Sequence, residues 1–165
     1  MGQVDHSRFG APAQESQELF AFESDFVATL RCIPMAVRFK LDLAGVKLSL
    51  RQWSGFTLAD RSRMLASPCA TAGEIEGYRR RLIELIAERT GEAACDIAPP
   101  DAGPWAADAD PPTALADFAG SRGLTPPTAA QWRGLTDLRR FTLLKLIRDG
   151  HDNVNFGPAL REFGL

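Results

Sequence analysis

The sequence predicts a compact, multi-helix, all-α fold, and three observations carry that prediction. Helix-opening capping boxes stand at Thr57–Asp60 and Thr71–Glu74. Apolar residues then recur at helical spacing, as at Ile75, Tyr78, Leu82, Leu85 and Ile86. Glycines follow where such stretches should stop, at Gly45, Gly91, Gly123 and Gly150.

Residues 1–18 are rich in Gly, Ala, Ser, Gln and Glu without an apolar period and read as a flexible tail. Residues 19–165 read as a single helical domain. Ser24 can cap a short helix carrying Phe26, Val27 and Leu30, which must end before Pro34. The next stretch is contested. Ile33, Met35, Val37, Phe39, Leu41 and Leu43 alternate with Pro34, Ala36, Arg38, Lys40, Asp42 and Ala44, which is a strand pattern. Pro34 as an opening residue and Gly45 as a left-handed stop instead frame a helix. The helix is the expectation; an α+β fold with a hairpin at 35–50 is the alternative.

Thr57 opens a helix to about Ala66, and Thr71 opens the longest helix, stopped by Gly91. Residues 96–112 hold five prolines and four aspartates around Trp105, an extended acidic loop. A helix is expected from Pro112 to Arg122. Thr136 caps another whose Leu138, Phe141, Leu143, Leu144, Leu146 and Ile147 nearly surround it, so it reads as the central buried helix. The last is expected from Pro158 to Phe163.

Part of the chain reads twice. Pro34, Gly45, Gln52-Trp53, Gly55-Phe56-Thr57 and Arg61 recur as Pro112, Gly123, Gln131-Trp132, Gly134-Leu135-Thr136 and Arg140, 78 or 79 residues later. Two such copies can pack as a pseudo-twofold pair. The second copy, PTALADFAGSRG, has no alternation and is Ala-rich, which favours a helix in the first copy as well.

With 165 residues and 18.0 kDa, 45% apolar and 24% charged, the chain has the composition of one globular domain. No apolar run reaches the roughly 18–20 residues of a membrane span, and the N-terminus lacks a basic-then-apolar leader. Three cysteines, Cys32, Cys69 and Cys95, are odd in number and far apart, which points to a reducing compartment and a cytoplasmic location. Between Thr90 and Ser121 there are six acids and no Lys or Arg; against the net charge of −2 this leaves +4 on the rest. That excess is too small to argue for nucleic acid. The helix-turn-helix-like stretch near Pro126–Trp132 has no charged residue with which to hold phosphate.

Phosphate loops, HExxH, GxSxG and paired CxxC motifs are absent, so no catalytic residue, metal ligand or cofactor is assigned. Cys32 or Cys69 with His151 could form a nucleophile–base pair only if the fold brings them together, and buried cysteine is ordinarily a small hydrophobe. Trp53 and Trp132 read as core, and Arg79-Arg80-Arg81 as a solvated face. The loop with His151, Asp152, Asn153 and Asn155 reads first as backbone capping and second as a polar contact surface.

The segments RCIPM, VRFKLD, QW, RFxLLKL, GHxNxNF and REFGL, spread over about Phe20–Leu165, resemble in combination the nitrate reductase-associated protein family. The resemblance implies a non-catalytic accessory or maturation factor for a molybdenum-dependent assimilatory nitrate reductase. Its partner would be the reductase or the reductase's maturation machinery, with neither nucleic acid nor membrane involved. Arg31, Arg38, Lys40, Lys47, His151, Asn153 and Asn155 read as surplus to folding and form the expected interface, the cations exposed or facing acids such as Asp42. The alternative is a small-anion or cofactor binder, with Arg31, Arg38, Lys40 and His151 lining a pocket for nitrate or a pterin phosphate.

Overall fold

The computed structural model describes residues 17–24, 29–98, 105, 109–148 and 151–165, the last without the side chains of His151 and Asp152. It is all-α apart from one two-residue strand pair. In chain order the elements are α1 (Met35–Ala44), β1 (Val46–Lys47), α2 (Leu50–Gly55), α3 (Leu58–Ala66), α4 (Ala72–Thr90), β2 (Cys95–Asp96), α5 (Thr113–Ser121), α6 (Ala129–Gly134), α7 (Asp137–Leu146) and α8 (Phe156–Glu162). Short 3₁₀ turns cover Ala21–Glu23 and His151–Asn155. The expected helix after Ser24 falls mostly on 25–28, and much of the acidic loop on 99–104 and 106–108; both lie outside the described residues.

The contested stretch is helical. Pro34 is the N-cap of α1, and Gly45 closes it with φ 66°, its N–H returned to the carbonyls of Leu41 and Asp42. The strand pair that follows joins Val46 to Asp96 and Lys47 to Cys95, so β1 does not fold back on α1. Alternation misleads here because α1 is buried on two sides. Met35 and Ala36 face one apolar cluster, and Val37, Leu41 and Ala44 face another. Lys40 shares the Ala36–Ala44 stripe at helical spacing and goes inside with it. The helix common to both clusters is thus α1, not α7 as the apolar residues around α7 suggest.

The first cluster gathers Trp132, Leu138, Phe141, Leu146, Phe156 and Leu160 from α6, α7 and α8. The second gathers Trp53, Met64, Tyr78, Leu82 and Ile86 from α2, α3 and α4, with Phe56 just past α2. The duplicated motif builds one corner in each. Ser49 caps α2 in a box with Gln52, and Thr128 caps α6 in a box with Gln131. Each short helix buries its Trp completely and ends on an extended residue, Phe56 or Leu135, whose N–H returns to the Trp carbonyl. Thr57 and Thr136 then cap α3 and α7.

The arginine four residues on completes the corner in both copies. Arg61 donates to the carbonyls of Trp53 (3.1 Å) and Ser54 (3.0 Å), and Arg140 to those of Trp132 (3.2 Å) and Leu135 (2.6 Å). Trp53, Ser54 and Trp132 lie in the last turn of their helices, where carbonyls lack the usual i+4 donor, and Leu135 is the residue just past α6. The copies differ at the indole. Trp53 Nε1 donates to the carbonyl of Leu30 at 2.7 Å, which Leu30 presents from a left-handed conformation with φ 47°. The buried Trp132 Nε1 has no partner among the described residues.

Two cross-chain anchors were not visible as such in the sequence. Arg79 donates to the carbonyls of Ala44 (2.8 Å) and Gly45 (3.1 Å) and pairs with Asp96 at 2.7 Å, fixing α1, β1 and β2 to α4. It is therefore not part of a merely solvated face. Trp105 sets its ring against Phe39 and Phe141, and its carbonyl accepts from Arg140 Nε at 2.8 Å. That ties the acidic loop to the α7 side of the core.

Candidate functional site

Helix α1 has an outer face as well as two buried ones. Along it, between β1 and α7, runs a cleft of about 350 Å³. Arg38 and Asp42 enter from α1, Lys47 from β1 and Lys145 from α7, over an apolar floor that includes Leu41 and Val46. Asp42 and Lys145 pair at 2.7 Å, both largely shielded from solvent. Arg38 is half-buried and donates Nε–H to the carbonyl of Ile33 at 3.0 Å. Leu50, 54% exposed, stands on the rim.

Arg38 also lines a smaller neighbouring cavity of about 60 Å³ with Glu23, Cys32 and Asn155. Glu23 is buried, and its carboxylate accepts from the N–H groups of Met35 (2.8 Å) and Phe20 (3.2 Å). It thus serves the first free donor of α1, a position its Pro34 cap cannot serve with a side chain. Burial holds the Glu23 carboxyl above the usual carboxylate range, opposed by those two hydrogen bonds and the charge of Arg38.

The expected interface residues divide accordingly. Arg38 and Lys47 meet in the cleft, and Asn155 joins Arg38 in the smaller cavity. Arg31 is exposed on the segment leading into α1 and lines neither. His151 lies in the 3₁₀ turn, but its side chain is outside the described residues. Two expectations need correction. Lys40 is not exposed and is paired with no acid among the described residues: it is 1% exposed, and its Nζ donates to the carbonyls of Leu65 (2.5 Å) and of the C-cap Ser67 (2.8 Å) at the end of α3. There a cation satisfies the orphan carbonyls and complements the helix dipole. Its surroundings are apolar, and desolvation lowers its pKa to about 8.

Asn153 is likewise turned to the backbone. With its amide nitrogen facing inward it donates to the carbonyls of Leu146 (2.7 Å) and Arg148 (2.5 Å), finishing α7. The pocket imagined from Arg31, Arg38, Lys40 and His151 therefore does not form around Lys40. Sequence reasoning missed Lys145. Its signal was a lone cation inside the apolar run Leu143-Leu144-Lys145-Leu146-Ile147, a placement that calls for a partner on another helix.

The cysteines are unpaired. Cys69 is buried, Cys95 exposed and Cys32 half-buried against both cavities. Cys69 sits beside Lys40 and Tyr78, and burial pushes its thiol up to about 11, the opposite of an activated nucleophile. Among the described residues, no cluster of His, Cys, Asp and Glu is arranged to hold a metal ion, and no helix is long and apolar enough to cross a membrane.

The family model described as conserved nitrate reductase-associated protein matches residues 19–163. Comparison with curated proteins and with solved structures returned no match.

Proposed function

Since the chain belongs to the nitrate reductase-associated protein family, we propose that it is a non-catalytic accessory factor of a molybdenum-dependent assimilatory nitrate reductase. In this reading it supports the enzyme's assembly or activity through protein–protein contacts in the cytoplasm. The observation that favours contact is the outer face of α1. Arg38, Lys47 and the nearby Arg31 present cations around an apolar cleft rimmed by exposed Leu50. Arginine beside apolar side chains is the composition that protein interfaces favour. Arg31, Arg38, Lys47 and Asn155 remain the contact residues of the proposal, whereas Lys40 and Asn153 serve the fold.

Co-purification with the reductase tests this reading. Wild-type chain should bind the purified enzyme, and a variant carrying both Arg31→Glu and Lys47→Glu should bind it more weakly with an unchanged melting temperature. Absence of binding by the wild type in every state of the reductase, apo and molybdenum-loaded, contradicts the proposal.

A second reading has one specific support. The cleft volume lies at the low end of small-ligand sites, and three cations line it. Calorimetry with nitrate and with molybdopterin decides between the two. Heat from either ligand that is lost in Lys47→Ala would favour a small-anion binder.

A further inference from the structure

Residues 17–23 cross the ends of four helices as a strap. Gln17 Nε2 donates to the carbonyl of Ala66, the last residue of α3, at 3.1 Å. Glu18 pairs with Arg139 in the first turn of α7 at 2.6 Å. The N–H of Ala21 donates to both carboxylate oxygens of Glu162 at the end of α8, at 2.8 and 3.0 Å. Glu23 accepts from the N–H of Met35, the first residue of α1. Between these anchors Phe20 sets its ring edge-on to Phe163 at 5.1 Å, and the Arg139 guanidinium lies over the same Phe163 ring at 5.1 Å. We infer that this strap opens without unfolding of the helices, and that the seat it leaves between α7, α8 and the start of α1 takes a short acidic segment carrying an aromatic residue.

The strap is held by few and mostly polar contacts. Of residues 17–23, Phe20 alone among the apolar ones is fully buried. Its regular structure is a three-residue 3₁₀ turn, with no apolar stripe to pack along a helix. Ordering seven residues opposes closure, and so does burying the Glu23 carboxylate, whose raised pKa records that burial. Segments with few buried apolar contacts open locally at a smaller cost than the body they lie on. The seat, by contrast, belongs to helices that the two apolar clusters hold. Its chemistry is shown by what already occupies it. A guanidinium receives a carboxylate, an aromatic ring receives another ring, and a free helix N–H receives a second carboxylate. The fitting occupant therefore carries an acid, an aromatic and an acid, spaced as Glu18, Phe20 and Glu23 are.

Two measurements on the full chain test the inference. In amide hydrogen exchange, corrected for intrinsic rates, Ala21 and Met35 should exchange at least about a hundredfold faster than the buried Leu82 and Leu85 of α4. The second uses a synthetic peptide of residues 17–24, blocked at both ends. Against the wild type it competes with a tethered copy of itself and should bind weakly. Glu18→Gln or Phe20→Ala in the full chain loosens the tethered copy and should tighten peptide binding by about tenfold or more, with helix content by circular dichroism unchanged. The peptide carrying Phe20→Ala should not bind.

Equal protection of Ala21, Met35, Leu82 and Leu85 overturns the inference. So does failure of the peptide to bind the loosened chains, or equal binding by the peptide with Phe20→Ala. Glu18→Gln leaves the apolar cluster intact and decides the matter even where Phe20→Ala unfolds the chain. No reductase enters these measurements, so the accessory reading stands or falls apart from them.

Discussion

Arg61 and Arg140 hold the same place in the two copies of the motif and yet do not carry the same weight. Arg140 is 2% exposed and donates to the carbonyls of Trp105, Trp132 and Leu135 and to the Asp137 carboxylate. Its loss would orphan buried carbonyls, so Arg140→Ala should cost about 3 kcal/mol or more in urea unfolding. Arg61 bonds to carbonyls nearer the surface, and Arg61→Ala should cost about 1–2 kcal/mol. Lys40 gives a prediction with a sign. Its folded pKa of about 8 lies below the ordinary 10.5, so between those values the unfolded chain binds more protons and stability rises with pH. Cys69, raised from 9.0 to about 11, works the other way above pH 9. The wild type should therefore gain stability from pH 7.5 to 9, and Lys40→Met should not, as read by urea midpoints at the two pH values. Lys40 was misplaced because a cation is costly to bury without an acid, whereas the helix sets it on the stripe of Ala36 and Ala44 and the carbonyls of Leu65 and Ser67 satisfy it there.

At the scale of elements, the helix ends were the most legible feature. The boxes at Thr57–Asp60 and Thr71–Glu74, the Thr136 cap and the stops at Gly45, Gly91 and Gly123 all form, since each is a local hydrogen-bond or φ requirement written in adjacent residues. The last helix was set too late: α8 starts at Phe156, with Pro158 inside its first turn, where a missing N–H costs nothing. Long-range anchors were illegible because a side chain reaching another element leaves no local pattern; Glu23 on α1 and Arg79 at its far end are the cases in point. The two motif glycines separate local from tertiary demands. A Cβ at Gly55 would meet Thr90 Cγ2 at 3.3 Å, where the Thr90 hydroxyl is held by the Ile86 carbonyl, but at Gly134 it would meet nothing within 4 Å. Gly134→Ala should stabilise by up to about 1 kcal/mol, and Gly55→Ala should not, measured by thermal unfolding.

Across the whole molecule, two apolar clusters share α1, and the outer face of that shared helix carries the candidate site. The all-α fold was legible because capping and periodicity agreed in most segments, and the repeat resolved the one segment where they conflicted. The site was half legible: Arg38 and Lys47 were named, while Lys145 and Glu23 arrive only through packing. Arg31, ahead of α1, and Lys47, on β1, are both exposed, so substitutions there should change binding without changing the fold. The most direct test of the accessory role is nitrate reductase activity per unit of reductase protein, with molybdenum content, in cells lacking this chain. The account predicts that this ratio falls and is restored by the wild-type chain. It should not be restored by a stably folded Arg31→Glu, Lys47→Glu variant present at the same level. An unchanged ratio and molybdenum content in cells lacking the chain would contradict it.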